Sequence, residues 1–127
     1  FVWAESIYLR RWWKDPRTNT THKDLFQKFV AEGRIELVNG GWVMHDEGIT
    51  RYDSQIHQMT EGHDRLQQMF LDELRRPNVT ITTGWQIDPF GPSPFSVNLH
   101  HWAGMNLLVL NRMPANIKDA IKANKTL

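Results

Sequence analysis

The chain has 127 residues, enough for one small domain, and its composition of 40% hydrophobic and 23% charged residues is ordinary for a globular protein. It contains no run of about 18 apolar residues, so no segment is predicted to span a membrane. A net charge of +1 gives no electrostatic reason to expect nucleic acid or anionic lipid as a partner, and the absence of cysteine excludes disulfides and thiolate metal sites within the chain.

The first half of the chain predicts a strand, two helices and a second strand. Residues 1–5 are apolar and typical of a buried strand, and residues 6–14 predict a helix rich in aromatic and basic side chains. Thr21 is placed to cap the next helix, which ends at Gly33, and residues 35–38 follow as a short strand. Four apolar side chains are predicted to share the buried face of this second helix: Leu25, Phe26, Phe29 and Val30.

The second half alternates between helix and strand. A long helix is predicted to begin at Asp53 and to end before Pro77, and β-branched residues predict a strand over 79–87. A loop at 88–94 leads into another helix, and residues 107–110 predict a buried strand. One stripe of the long helix is predicted to face the core: Ile56, Met59, His63, Leu66, Met69, Phe70 and Leu74.

Pro114, at a first helical position, starts a last helix. Three of its side chains are predicted to face inward: Ile117, Ala120 and Ile121. The resulting order, β-α-α-β-α-β-α-β-α, predicts parallel strands in an α/β fold whose sheet is covered on both faces. Ligands bind beyond the carboxyl ends of strands in such folds, which indicates four places to search: Glu5, the turn at 40–42, the loop at Asp88 and the segment after Leu110.

The loop after the predicted strand at 79–87 carries the strongest local signal. Asp88 ends the strand, where an α/β sheet presents side chains to a ligand. Pro89 fixes its own φ and biases Asp88 towards an extended conformation, so the carboxylate is expected to project with limited freedom. An Asx turn or a helix cap explains the same residue without any chemistry, and the residues alone leave both interpretations open.

A second candidate is the turn that begins with Gly40 and Gly41. Paired glycines allow close backbone approach, Trp42 is suited to stacking on a sugar face, and Asp46 and Glu47 are suited to polarising hydroxyls. The same residues are equally typical of a tight turn followed by a core tryptophan and two solvated acids.

The six histidines do not predict a complete metal site. His57 and His63 stand six residues apart on the long helix, which places them on different faces. His100 and His101 are adjacent, so at most one of them is expected to face any given site. Separate surface or core roles are the better interpretation of these side chains.

Three N-x-[ST] sequons begin at Asn19, Asn78 and Asn124. Three in a chain this short favour passage through the secretory pathway, although chance also accounts for them. The chain starts with neither an initiator methionine nor a signal peptide, and a buried strand seldom stands at a terminus. We therefore expect residues 1–127 to be part of a longer chain.

Taken in order, three blocks of the sequence resemble glycoside hydrolase family 38, the α-mannosidases. The first is Phe1-Val2-Trp3-Ala4-Glu5. The second covers residues 33–44 with their Gly40-Gly41-Trp42 core, then Asp46-Glu47 and residues 58–62. The third is Trp85-x-Ile87-Asp88-Pro89-Phe90-Gly91-x-Ser93. Asn39 and the surroundings of Tyr52 favour the lysosomal branch of the family.

The resemblance implies a retaining α-mannosidase that removes terminal α-linked mannose from N-glycans, with the chain forming part of a seven-stranded, barrel-like N-terminal catalytic domain. In the family, the aspartate of the third block is both nucleophile and Zn²⁺ ligand, roles that fall on Asp88, and the following phenylalanine lines the site, a role that falls on Phe90. The family's other zinc ligands and its acid/base carboxylate lie outside this chain. The isolated chain is therefore expected to be inactive. The resemblance also implies a lysosomal or secretory location and leaves a homo-oligomer open.

The chain departs from the family pattern at Pro92 and Arg51, where histidine is usual. Either change bears on the surroundings of the site and puts full activity in question. A non-catalytic mannose-binding protein on the same scaffold is the alternative, and an unrelated α/β domain that binds a small molecule is a second one.

Overall fold

The computed structural model describes residues 1–49, 51–71, 80–88, 90–91 and 93–124. Within these ranges, nine elements follow one another: β1 (Val2–Trp3), α1 (Ser6–Lys14), α2 (Thr20–Ala31), β2 (Glu36–Leu37), α3 (Tyr52–Leu71), β3 (Thr83–Gln86), α4 (Pro94–Trp102), β4 (Leu107–Leu110) and α5 (Ala115–Asn124). This order is the predicted one, and the strands pair in parallel, so the α/β class is confirmed. Among the described residues, no helix combines the length and the apolar character needed to cross a bilayer.

The strands form two parallel pairs. β1 pairs with β2, with Trp3 opposite Leu37, and β3 pairs with β4, with Gln86 opposite Leu110. The backbone N–H of Asn39, just after β2, donates to the Thr83 carbonyl at 2.7 Å and so ties the end of the first pair to the start of β3. This tie fixes the position of β3, the strand that leads to Asp88.

The core lies between the strands and the first three helices. Leu9 and Trp13 on α1 are at most 1% exposed, and the Trp13 ring meets Phe26 of α2 edge-on at 6.2 Å. In the described part of the chain, seven more buried side chains belong to it: Leu37, Met59, Leu66, Met69, Phe70, Ile81 and Met105. Burying each large apolar side chain contributes about 1.5–3 kcal/mol, so this cluster holds α1, α2 and α3 in place.

The second helix starts earlier than predicted. Its cap is Asn19, whose side-chain oxygen accepts a hydrogen bond from the His22 N–H at 3.0 Å; the prediction of Thr21 was wrong. The short asparagine side chain reaches a first-turn amide that would otherwise lack a partner. Phe26 faces the core as predicted, but Leu25 is 44% exposed and lies outside it.

The buried stripe of α3 follows the prediction at Met59, Leu66, Met69 and Phe70 but not at the start of the helix. Ile56 is 39% exposed, whereas the neighbouring Gln55 is buried. The predicted Leu74 and the sequon at Asn78 lie outside the described residues.

Three apolar segments predicted to be buried are partly exposed. Phe1 is 81% exposed, Leu107 on β4 57% and Ile117 on α5 47%, and Ala120 is also exposed; the side chain of Ile121 lies outside the described residues. Little of the described chain packs over these side chains, whereas β3, which pairs with β4, is mostly buried. The prediction of burial was therefore wrong at Phe1, Leu107, Ile117 and Ala120.

Candidate active site

Asp88 lies just past the carboxyl end of β3 and is half-buried. Its backbone carbonyl accepts a hydrogen bond from the Phe90 N–H at 2.9 Å, which turns the chain sharply. Gly91 then takes a positive φ of 73°, which a side chain would oppose. The turn separates Asp88 from the following helix, so the carboxylate stands at a strand end as predicted, with the half-buried Phe90 two residues further on. Pro89 and Pro92 lie outside the described residues.

Glu47 connects the second block to this loop. Its carboxylate accepts a hydrogen bond from the Ser93 N–H at 3.1 Å, across 46 residues of sequence. Ser93 in turn caps α4, since its hydroxyl oxygen accepts from the Phe95 N–H at 3.2 Å. Ser93 is therefore fixed by two hydrogen bonds, one to Glu47 and one from Phe95, and it anchors the segment after Asp88.

The glycine turn at residues 40–42 packs against the middle of α3. Gly40 takes a φ of 73°, and a Cβ added to Gly62 on α3 would overlap the Gly40 carbonyl. The Trp42 N–H donates to the Gln58 carbonyl at 2.9 Å, and the Gln58 side chain accepts from the Val43 N–H at 3.3 Å. Residues 58–62 and the glycine turn therefore pack directly against each other.

Glu5 reaches the same region from β1. Its carboxylate accepts a hydrogen bond from the Met44 N–H at 3.2 Å, and the Ser6 N–H donates to the Gly41 carbonyl at 3.0 Å. All three blocks of the sequence therefore meet at the carboxyl ends of the strands, as the fold-level prediction required.

The fourth place to search, the segment after Leu110, also adjoins the Asp88 loop. An open groove of about 910 Å³ runs between α4, the end of β4 and the start of α5. Its walls include Gly91 and Ser93 on one side and Leu110, Arg112 and Met113 on the other. The groove is mainly apolar, and Arg112 is the charged side chain among its described lining residues.

Two predicted binding residues, Trp42 and Asp46, and the family departure Arg51 behave as ordinary turn and surface groups. Trp42 is half-buried and lies beside the Arg10 guanidinium, 5.8 Å from the ring centroid. Asp46 is exposed and accepts from the Gly48 N–H at 2.7 Å, as in an Asx turn. Arg51 is exposed and pairs with Asp53 at 2.7 Å at the start of α3.

Two histidines that the sequence left without a role form a buried polar network behind β3. His45 and His100 are each 1% exposed, and their rings stack with centroids 6.1 Å apart. His100 meets the fully buried Asn39, and the Gln86 amide donates to the His45 carbonyl at 3.0 Å. Because His45 and His100 stand 55 positions apart, no local spacing predicted their contact.

Burial governs the ionisation of both rings. It lowers the pKa of His45 to about 4, an effect that His100 reinforces and Asp46 opposes. Burial also lowers the pKa of His100, against the effects of the Ser96 carbonyl and of Glu47. Both rings are therefore neutral near pH 7.

The described residues do not complete a metal site by themselves. Nowhere among them do three histidine, cysteine, aspartate or glutamate side chains gather closely enough to hold an ion. Asp88 offers a carboxylate oxygen, which suits zinc, but a zinc site takes about three protein ligands. The described residues therefore fit a zinc site to which they supply one ligand, Asp88.

The blocks and their arrangement belong to one family. Residues 1–127 match the glycosyl hydrolases family 38 N-terminal domain. The chain belongs to this family.

The family's members include α-mannosidases at moderate distance from this chain. The chain is 39% identical to alpha-mannosidase F of Dictyostelium discoideum over 127 residues, which are 100% of this chain and 12% of that protein. It is 35% identical to human alpha-mannosidase 2 over 127 residues, 100% of this chain and 10% of that protein. The pig epididymis-specific alpha-mannosidase is 37% identical over 122 residues, 96% of this chain and 12% of that protein.

These comparisons confirm the resemblance to family 38. The chain spans roughly a tenth of the length of the relatives that it matches. The lysosomal branch, the nucleophile and the zinc ligand stay predictions.

Proposed function

We propose that the full-length protein is a retaining α-mannosidase of family 38 that removes terminal α-linked mannose from N-glycans, with Asp88 as its nucleophile. The observation that carries the proposal is the meeting of the three family blocks at the carboxyl ends of the strands: Glu5 contacts Met44, and Glu47 contacts Ser93. Asp88 stands half-buried in the third block, just past β3. This is where an α/β fold places its reacting groups.

The chemistry requires two carboxyl groups. The Asp88 carboxylate attacks the anomeric carbon of mannose while a second carboxyl group, outside this chain, protonates the leaving oxygen. Water then breaks the bond between the sugar and Asp88, which restores the carboxylate and releases mannose with retained configuration. In a retaining enzyme the two carboxyl groups stand roughly 5 Å apart. Phe90 is proposed to line the sugar site.

Zinc is proposed as the cofactor, with Asp88 as one ligand and the others supplied from outside residues 1–127. A bound zinc ion would supply Lewis-acid polarisation of sugar hydroxyls. Because the described residues offer one ligand of the zinc site, the isolated chain is proposed to lack activity even when zinc is added.

The proposal extends to the setting of the protein. Residues 1–127 are proposed to form part of a seven-stranded, barrel-like catalytic domain, of which the two parallel pairs described here would contribute four strands. The three sequons support a location in the lysosome or the secretory lumen, and Asn19 is exposed at a helix start, although its side chain also serves as the cap. A homo-oligomer remains part of the proposal.

The decisive experiment traps the covalent intermediate in the full-length protein. A 5-fluoro-mannosyl fluoride should label the peptide spanning residues 85–93 at Asp88. Asp88→Ala should lower kcat/KM at least about a thousandfold, or about 4 kcal/mol of transition-state stabilisation. The exposed Asp46, tested as Asp46→Ala, is the matched control and should change activity little.

The alternative, a non-catalytic mannose-binding protein, gives a different pattern. It would bind a mannoside and form no covalent species. A label on Asp46 or Glu47, or inversion at the anomeric carbon, would refute Asp88 as the nucleophile. Turnover of an aryl α-mannoside by the isolated chain would refute the assignment of the missing groups to other parts of the protein.

A further inference from the structure

The buried network behind β3 contains titratable groups that the proposed reaction does not use. His45 and His100 stack at an interplanar angle of 23°, and both are almost fully buried. β3 runs directly against His100, because a Cβ added to Gly84 would stand 2.7 Å from its Cδ2. His100 therefore packs against the strand that leads to Asp88.

The hydrogen bonds of His45 fix its tautomer. The Gln58 side-chain oxygen accepts from the Val43 N–H at 3.3 Å, so the Gln58 nitrogen is the atom that donates to His45 Nδ1 at 2.9 Å. A nitrogen that accepts carries no proton, so neutral His45 holds its proton on Nε2. Charging the ring would place a second proton on Nδ1, where the Gln58 nitrogen already donates, while Nε2 stays buried without a partner among the described residues.

His100 meets two oxygens. Its Nδ1 lies 2.6 Å from the Ser96 carbonyl, which can only accept, so Nδ1 carries a proton. Its Nε2 lies 2.8 Å from Asn39 Oδ1, which also accepts. Both nitrogens donate only in the charged ring. A neutral His100 needs the Asn39 amide to turn its nitrogen towards Nε2, so the orientation of this amide follows the charge of His100.

Asn39 is well placed to pass this change on to β3. It has a positive φ of 63°, its N–H donates to the Thr83 carbonyl at 2.7 Å, and its carbonyl lies 3.0 Å from His63 Nε2. Its side-chain oxygen stands 3.5 Å from the Trp85 N–H, and its side-chain nitrogen has no partner among the described residues. When the amide turns, the group that faces the Trp85 N–H changes from acceptor to donor.

We propose that His100 is a positioning residue whose charge, read out by the Asn39 amide, sets how firmly β3 is held and therefore where Asp88 stands. The catalytic consequence rests on the proposed mannosidase function, whereas the effect on β3 does not.

Charged and titratable groups from several elements face the two buried histidines, His45 and His100. Asp46 lies near His45 and Glu47 near His100, and both favour the charged rings, whereas His100 disfavours a charged His45. His63 on α3 faces the Asn39 carbonyl. Burial outweighs the two acids, so the neutral arrangement holds near pH 7 and is lost in acid.

The test compares wild-type full-length protein with His100→Gln, which keeps an amide in place of the ring but does not titrate. The measured quantity is hydrogen exchange of the peptide spanning residues 83–88, corrected for intrinsic rates, at about pH 7.5 and about pH 4.5. Wild-type protection should change more than about tenfold between the two conditions, and the change should be several times smaller in His100→Gln, in which His45 still titrates. His101→Gln, at the adjacent exposed histidine, is the control and should behave as wild type.

Activity provides the second readout. The acid limb of kcat should move to lower pH in His100→Gln, with KM nearly unchanged, and His101→Gln should leave both alone. Equal pH dependence of β3 exchange in wild type and His100→Gln overturns the proposal, as does a wild type whose β3 exchange is independent of pH. If His100→Gln fails to fold, the pH midpoint of the β3 exchange change in wild type should coincide with the titration of the His100 ring followed by NMR, and a mismatch overturns the proposal. Coupled exchange without mannosidase activity at any pH would support the switch and refute the proposed function.

Discussion

The carboxylate of Glu47 accepts a hydrogen bond from the backbone N–H of Ser93 at 3.1 Å. Ser93 is also the cap of α4, so one acidic side chain anchors both the loop that follows Asp88 and the first turn of the next helix. The acidic pair of the second block, which the sequence offered as a hydroxyl binder, therefore contributes at least one member to holding the candidate active site in shape.

Removing this acceptor should loosen the Asp88 loop. Glu47→Ala leaves a half-buried N–H without a partner, and we expect kcat/KM to fall about tenfold, or about 1.4 kcal/mol. Glu47→Gln keeps an oxygen acceptor and should lose less. Steady-state kinetics on an aryl α-mannoside measure both, with the exposed Asp46→Ala as control. Equal losses in the alanine and glutamine variants would show that the charge, not the hydrogen bond, matters.

At Gly62, helix propensity and packing predict opposite effects of an alanine substitution on stability. In an exposed helix, Gly→Ala stabilises by about 1 kcal/mol. On α3 the added Cβ would overlap the backbone of Gly40, Gly41 and Trp42. Gly62→Ala should therefore destabilise the protein by about 1–3 kcal/mol, seen as a lower urea midpoint. Gly48→Ala, which meets only the Asp46 carboxylate, should change the midpoint little, and a stabilised Gly62→Ala would contradict the packing.

Burial of His45 predicts a loss of stability in acid. Its folded-state pKa of about 4 lies below the ordinary value of 6.5, so between these values the unfolded chain binds more protons. Stability from this residue is complete above about pH 6.5 and falls as pH drops towards about 4, by a total on the order of 3 kcal/mol.

Urea unfolding at several pH values checks this prediction. His45→Asn keeps an acceptor for the Gln58 amide and should flatten the acid dependence, whereas the exposed His57→Asn should not. The prediction fails if wild type and His45→Asn lose stability in parallel.

Alanine substitutions at Leu9 and Leu25 test the observed burial of these two side chains. Leu9 is fully buried, and Leu9→Ala should cost about 2–5 kcal/mol of unfolding free energy. Leu25, which the helical pattern placed inward, is 44% exposed, and Leu25→Ala should cost less than about 1 kcal/mol. Unfolding midpoints measure both, and similar losses would indicate that Leu25 contacts a part of the full-length protein outside this chain.

Local chemistry was enough to predict the order of the elements. Proline, glycine and the spacing of apolar residues act over a few positions, so α1 was predicted at its observed bounds and the β-α-α-β-α-β-α-β-α order was confirmed. The same reasoning placed Asp88 at a strand end, because a strand and the turn after it are both local features. Family membership followed from three collinear blocks, which need no coordinates to be recognised.

Tertiary structure decided which side chains are buried and which groups are hydrogen-bond partners. Which apolar residue faces the core depends on what packs against it, so Leu25 and Ile56 were placed wrongly although a helix was predicted at each position. The cap at Asn19 in place of Thr21 depended on which oxygen reached a free amide. The contact of His100 with Asn39 joins residues 61 positions apart, and the fold alone brings them together and removes water from them. A sequence shows which side chains can ionise or hydrogen-bond, but the free energies of doing so depend on desolvation and distance, which only the folded chain sets.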